Sequence, residues 1–250
     1  MYLIPESLCE NVKTFFTSIG EEAIHGFEHA VNVYNHALKA LEHCPKLKPF
    51  QKQAVLLAAF LHDVDDQKIV NSKDYANARK FLDEMWFCEK EFVIRMISNV
   101  SFSVNGISTE GIPEPWQLIP RDADRLEALG KIGVARCFAY GITKKRPYYS
   151  KNTPRCTSIH EIYIEATNAY LNPMYLSPAS TLDYFFSGLI MRGYMSSQNS
   201  YMEQEVKIRI TCIVEALLVY GKKGSIDKKD ILQIVDGDTQ AVNIVTKYLI

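Results

Sequence analysis

A chain of 250 residues, 47% hydrophobic and 23% charged, has the make-up of a globular protein able to bury a full core without disulfide staples. Its formal net charge of −1 excludes a global field for nucleic acid or anionic lipid and leaves room only for a local basic patch. No apolar run reaches the ~18 residues of a membrane span, so no membrane partner is expected. The opening MYLIPESLCENVK lacks the basic start and apolar core of a secretory signal. Six scattered cysteines with no CxxC spacing suit a reducing compartment, so a cytoplasmic protein is expected.

The hydrophobic period is helical nearly throughout. Residues 28–44, EHAVNVYNHALKALEHC, place Val33, Ala37, Ala40, Leu41 and Cys44 on one face, and Pro45 and Pro49 end that helix. Residues 50–64 form a second helix, apolar almost all round over Ala54–Leu61 and therefore central. NSKDYANARKFLDEMW predicts a third with Asn71 or Ser72 as N-cap, and CEKEFVIRMISNVS a fourth. VNGISTEGIPEP is a loop. PWQLIPRDADRLEALGKIGVARCFAYG predicts a fifth helical region, in which Gly130 and Gly133 imply close packing against a neighbour. Residues 141–158 make a basic, aromatic loop. Further helices are expected near 159–171, 179–195 and 200–220, and two short ones in the tail. The chain is thus expected to be all-α.

The buried run AVLLAAFL breaks abruptly into His62, Asp63, Asp65 and Asp66. Neighbouring helical residues point about 100° apart, close to the angle between adjacent ligands of an octahedral ion. A His-Asp pair at a helix end can therefore grip one metal from two sides, with further ligands from other helices. HGFEH offers His25 and His29, and RDADRLEALG offers Asp122 and Asp124. One imidazole from the first and one carboxylate from the second complete a mixed N/O set suited to Mn²⁺, Fe²⁺, Mg²⁺ or Zn²⁺.

The order His, His-Asp, Asp in an all-α chain resembles the HD-domain metal-dependent phosphohydrolases. FLHDVDDQK resembles the LLHDxxDxK motif of a nucleotide pyrophosphohydrolase-like subgroup, ISNVSF its IxxISF segment, and DADRLEALGKIGVAR its DADRLDAIGAIGIAR stretch. The resemblance runs from about residue 18 to 220 and implies a single HD-domain helical bundle, with 222–250 as a helical appendage. It implies His29, His62, Asp63 and Asp124 as metal ligands, His29 preceding the helical HAVNV pattern and Asp124 preceding Arg-Leu. One divalent ion is expected, Mn²⁺ foremost, with Mg²⁺, Fe²⁺, Co²⁺ and Zn²⁺ as alternatives. Asp66 matches a residue that helps activate water. Lys68 matches a basic residue suited to phosphate, and His25 is a substrate contact, a residue supporting a ligand, or simply a helix N-terminal residue. Arg125 is either a phosphate fork or an internal ion-pair partner. Asp122 either orients a ligand histidine or caps a helix, and Asp65 reads as solvent-side charge. The loop carrying Lys144, Lys145, Arg146, Tyr148 and Tyr149 either covers a nucleotide or is solvated.

The implied reaction is hydrolysis of a nucleoside triphosphate to monophosphate and pyrophosphate by a metal-activated water. The partner is then a small nucleotide, and a homodimer is compatible. The chain departs from the pattern at SxxHFYEKLL, which reads STLDYFFSGLI: Asp183 replaces His and Ser187 replaces Lys. Residues 156–178 form an additional stretch. These departures keep open another phosphate substrate (an alarmone, a cyclic nucleotide or a nucleoside monophosphate), or a non-catalytic nucleotide sensor.

Overall fold

In a computed structural model, which describes residues 4–20, 26–172 and 178–249, all regular structure among the described residues is helical, as expected. The chain forms two compact units. One comprises residues 1–125 with 195–203, the other residues 126–194 with 204–250.

The first unit is built around α2 (Phe27–Glu42) and α3 (Pro49–Leu61). Helix α2 turns Ala30, Val33, Ala37 and Ala40 inward, and such small side chains let it lie closely along α3. Every residue of α3 from Ala54 to Leu61 is buried. A buried Leu, Val or Phe contributes about 1.5–3 kcal/mol, so the C-terminal end of α3 is held firmly. Helix α5 (Lys90–Ser98) covers α3 with Val93, Ile94, Met96 and Ile97. An unanticipated helix, α1 (Glu6–Ser18), buries Leu8, Val12 and Phe16, whose spacing of four was a legible signal.

Helix α4 (Ala76–Glu84) begins later than the sequence suggested. Asp74 and Tyr75 adopt φ of 52° and 55°, left-handed values that block helix propagation through them. The expected cap, Ser72, donates its hydroxyl to Asp65 instead. Asp65 then caps α4 from a distance, accepting the N–H groups of Asn77 at 3.0 Å and Ala78 at 2.8 Å. It is buried rather than solvent-facing, because those donors lie in the interior. After α6 (Phe102–Asn105), a loop and a 3₁₀ turn (Pro115–Leu118) lead into α7 (Ile119–Glu127).

The expected single helical region over 115–141 is broken. Leu129 is extended and Gly130 sits at φ +85°, so a new helix, α8 (Gly130–Thr143), starts there. A Cβ on Gly133 would stand 2.1 Å from the Ala128 carbonyl oxygen, which is the close approach that requires glycine. In the second unit α8 packs on α13 (Thr239–Tyr248), which contacts α12 (Lys228–Ile234). Helix α9 (Ile159–Leu171) packs on a π-helical stretch, Phe185–Ile190, that continues α10 (Thr181–Tyr184). The unusual winding coincides with the segment that departs from the motif at Asp183 and Ser187. The long helix α11 (Ser200–Lys223) ends at Gly224.

All six cysteines are unpaired. Burial pushes the Cys137 thiol up to about 12, and those of Cys156 and Cys212 to about 11. Each is therefore almost wholly protonated at neutral pH, and thiols react as thiolates. Cys88 is exposed. Iodoacetamide at pH 7.5 is expected to modify Cys88 while leaving Cys137, Cys156 and Cys212 intact. Peptide mass spectrometry showing early labelling of any of the three would refute this.

Candidate metal centre

His62 is the residue just past α3, still near helical dihedrals at φ −60° and ψ −30°. Its Nδ1 donates to the Ala59 carbonyl oxygen at 2.9 Å, so in the neutral ring Nε2 carries the lone pair. Asp63 follows in a turn, and the Asp66 N–H closes on its carbonyl at 3.1 Å. His29 comes from the first turn of α2 and Asp124 from the middle of α7.

These four side chains converge. The Nε2 atoms of His29 and His62 are 3.2 Å apart. Asp124 Oδ1 lies 3.3 Å from His29 Nε2 and 3.6 Å from His62 Nε2. Asp63 spans both rings, its Oδ1 at 3.3 Å from His62 Nε2 and its Oδ2 at 3.5 Å from His29 Nε2. His29, His62 and Asp124 form a mutually close triad, and Asp63 closes it from the side of the two rings. His29, His62 and Asp63 are buried, whereas the Asp124 side chain is 23% exposed and marks the open side.

The arrangement fits a divalent cation. Metal–N and metal–O bonds of about 2.1 Å put adjacent ligand atoms about 3.0 Å apart in an octahedron and about 3.4 Å in a tetrahedron. The observed separations of 3.2–3.6 Å are of that size. With Nδ1–H committed to Ala59, a neutral His62 would point a lone pair at carboxylate oxygens, so a positive charge is needed between them. The His62 pKa reflects that need. Burial works against the charged ring, but Asp63 and Asp124 more than reverse it and hold the pKa well above 6.5. Burial likewise opposes the Asp124 carboxylate, and hydrogen bonds from His29 and His62 override it, lowering its pKa. The donor set is two imidazoles and two carboxylates, the mixed composition that Mn²⁺, Fe²⁺, Co²⁺ and Zn²⁺ accept.

The other expected residues are placed differently. Asp66 accepts the Lys68 N–H on Oδ1 at 2.8 Å, and its Oδ2 is 3.9 Å from the Lys68 ammonium, whose side chain is 61% exposed. Asp66 thus caps its own turn and keeps one oxygen for another partner. Arg125 is fully buried, donates to the Gly106 carbonyl and lies over the Phe102 ring, 5.4 Å from its centroid. That placement matches an internal partner rather than an open phosphate fork. Asp122 takes neither expected role. Fully buried, it accepts the N–H groups of Ser196 and Ser197 on Oδ2 at 2.8 and 2.7 Å. Burial raises its pKa, and those donors pull it back only in part. His25 lies outside the described residues, as does part of the additional stretch, 173–177.

In the second unit, Asp183 is buried behind the Ser180 cap, and the Ser187 hydroxyl donates to the Asp183 carbonyl at 3.1 Å. Tyr148 packs edge-on against Phe138, and Tyr149 lies against Tyr220, each at 5.1 Å between centroids. Both loop tyrosines therefore have internal partners.

No protein-family model matches the chain. The uncharacterized protein L803 of Acanthamoeba polyphaga mimivirus is 38% identical over 209 residues, 75% of this chain and 84% of that protein. A solved HD-superfamily hydrolase from Bacillus thuringiensis superposes with a TM-score of 0.59 at 23% identity, covering 88% of this chain and 95% of that one. A Lactobacillus plantarum protein gives 0.60 at 18% identity over 89% and 99%. The Lin1889 protein of Listeria innocua gives 0.54 at 18% identity over 87% and 96%. No helix among the described residues is long and apolar enough to cross a membrane. The chain therefore belongs to one family with the mimivirus protein L803 and is built on the fold of the HD-superfamily hydrolases.

Proposed function

We propose that this chain is a metal-dependent phosphohydrolase that cleaves a nucleoside triphosphate to its monophosphate and pyrophosphate. The observation that carries the metal-dependent part is the convergence of His29, His62 and Asp124, with Asp63 on both rings. The nucleotide rests on the likeness of FLHDVDDQK and DADRLEALGKIGVAR to the pyrophosphohydrolase-like motifs. His29, His62, Asp63 and Asp124 would hold one divalent ion, Mn²⁺ foremost. When bound, such an ion lowers the pKa of a water molecule and neutralises charge on a phosphate oxygen.

The chain's own residues divide the remaining work. The bond from His62 Nδ1 to Ala59 fixes the ring so that Nε2 faces the cluster. Asp66 Oδ2, the oxygen not used by the turn, is the candidate acceptor for the proton of the attacking water. The exposed Lys68 ammonium would meet phosphate oxygens and draw the substrate toward an otherwise acidic turn. The buried flank at α3 excludes water, leaving the Asp124 side for entry.

A second reading follows from Asp183 and Ser187. Neither offers a cation, and the serine hydroxyl is engaged within its own helix. A site with weaker polyphosphate contacts suits another phosphate substrate, namely an alarmone, a cyclic nucleotide or a monophosphate, or a sensor that binds without cleavage. A panel of these compounds and the nucleoside triphosphates, assayed with Mn²⁺, Mg²⁺ and Co²⁺ and with products identified, separates the readings. Pyrophosphate release that disappears in Asp63→Ala is the expected result. No turnover of any ester or anhydride by metal-loaded protein would overturn the hydrolase, and nucleotide binding without product would establish the sensor.

A further inference from the structure

Residues 195–203 are seated in the first unit, although the chain on both sides of them belongs to the second. The segment is held by hydrogen bonds at both of its ends. At one end, Ser196 and Ser197 donate their N–H groups to Asp122 Oδ2 on α7. At the other, Asn199 donates from Nδ2 to the Ala40 carbonyl on α2 at 2.9 Å. Its Oδ1 meanwhile accepts the N–H groups of Tyr201 and Met202, capping α11. The Tyr201 hydroxyl shares a 2.6 Å hydrogen bond with His36 Nδ1, and its ring stacks on His43, which also bonds Ser200 Oγ at 2.9 Å. Asp122, Ser197, Asn199 and His36 are all buried.

The two helices so joined are those that bring His29 and Asp124 together. Asp122 precedes Asp124 by two residues on α7. His36, Ala40 and His43 lie on or just beyond α2, and His29, His36 and His43 recur every seven residues and so share one face. Helix α3 packs along α2. The strap joins these two helices, α2 and α7, next to the pair His29 Nε2 and Asp124 Oδ1, which stand 3.3 Å apart. The buried arginines of α7 tie it to the carbonyls of Ser108 and Gly106, within a loop.

We infer that the strap at residues 196–201 positions the metal centre. By tying α7 at Asp122 to α2 at His36, Ala40 and His43, it sets the distance between Asp124 and His29. Asp122, Asn199 and Tyr201 are positioning residues, none of them a ligand. This inference rests on the reading of His29 and Asp124 as ligands of one ion.

The test uses the full chain and three variants, with Mn²⁺ affinity by calorimetry and the visible absorption of bound Co²⁺ as readouts. Loss of a residue that orients ligands lowers metal affinity about 10–100-fold, which is expected of Asp122→Ala. Asp122→Asn is expected to stay near wild type, because both N–H groups converge on a single oxygen that an amide also supplies. Tyr201→Phe, which removes one hydroxyl, is expected to weaken Mn²⁺ about 3–10-fold and to shift the Co²⁺ spectrum. A folded Asp122→Ala with wild-type affinity and spectrum would overturn the inference, as would an Asn variant as weak as the Ala variant. Should Asp122→Ala fail to fold, Tyr201→Phe decides by the same two readouts. Wild-type protein that binds neither Mn²⁺ nor Co²⁺ would sink the reading of the site itself, whereas wild-type binding with unchanged variants sinks only the strap.

Discussion

Exchanging His62 for alanine is expected to abolish stoichiometric Mn²⁺ binding and to lower phosphate hydrolysis about 10³-fold or more. Three effects act together. The variant loses one imidazole ligand. It loses the ring that the Ala59 carbonyl holds in a single tautomer, so no water can take its place with the same direction. It also leaves the buried Asp63 and the partly exposed Asp124 carboxylates facing a single imidazole, with less positive charge to offset their desolvation. His62→Gln restores a polar group but places its amide differently, so it is expected to recover little. Calorimetric titration and pyrophosphate release, measured on the same preparations, check the result. Wild-type metal affinity in folded His62→Ala would remove this residue from the centre. Hydrolysis that persists without metal would remove the proposed mechanism.

Asp65→Ala is expected to be the most destabilising single exchange of a charged residue in the first unit, by about 2–4 kcal/mol. The carboxylate accepts the Ser72 hydroxyl and two backbone N–H groups at the start of α4. Alanine leaves the Ala78 N–H buried with no replacement, since the expected local caps, Asn71 and Ser72, stand outside the helix. Asp65→Asn keeps one acceptor oxygen and is expected to fall between the two. Urea denaturation of the three proteins measures the differences. A loss below about 1 kcal/mol for Asp65→Ala would show that α4 is held by Phe81 and Leu82 packing alone. The consequence extends to the metal centre, because Asp65 lies two residues beyond Asp63 on the turn that fixes His62. The alanine variant should therefore also bind Mn²⁺ more weakly than its stability alone would suggest.

These two neighbours illustrate what a sequence conceals. His62 and Asp63 were legible because their chemistry is local: a helix end and an adjacent pair at a known angle. Asp65 looked like surplus charge because its partners, Ser72, Asn77 and Ala78, come after a loop whose path no spacing rule describes. The same holds for Asp122, whose N–H donors are 74 and 75 residues away. Arg125 invited a phosphate role by type, yet its surroundings are Phe102 and Gly106. Tyr148 and Tyr149, on a loop that reads either as a nucleotide cover or as solvated, lie against Phe138 and Tyr220.

The amino-acid order alone determined the helical class, the central place of α3 and the His62-Asp63 pair, while the choice of His29 and Asp124 came from the family resemblance. Apolar period, prolines and His-Asp adjacency act over a few residues, and such short-range constraints survive without knowledge of the fold. Tertiary structure decided how far apart those ligands stand and which polar groups are buried. It also decided that the segment carrying Ser196 to Tyr201 returns to brace α2 against α7. Those outcomes depend on desolvation and on hydrogen bonds between segments distant in the chain. A buried carboxylate must find donors wherever the fold brings them, and here it found them in a strap that no local pattern announces.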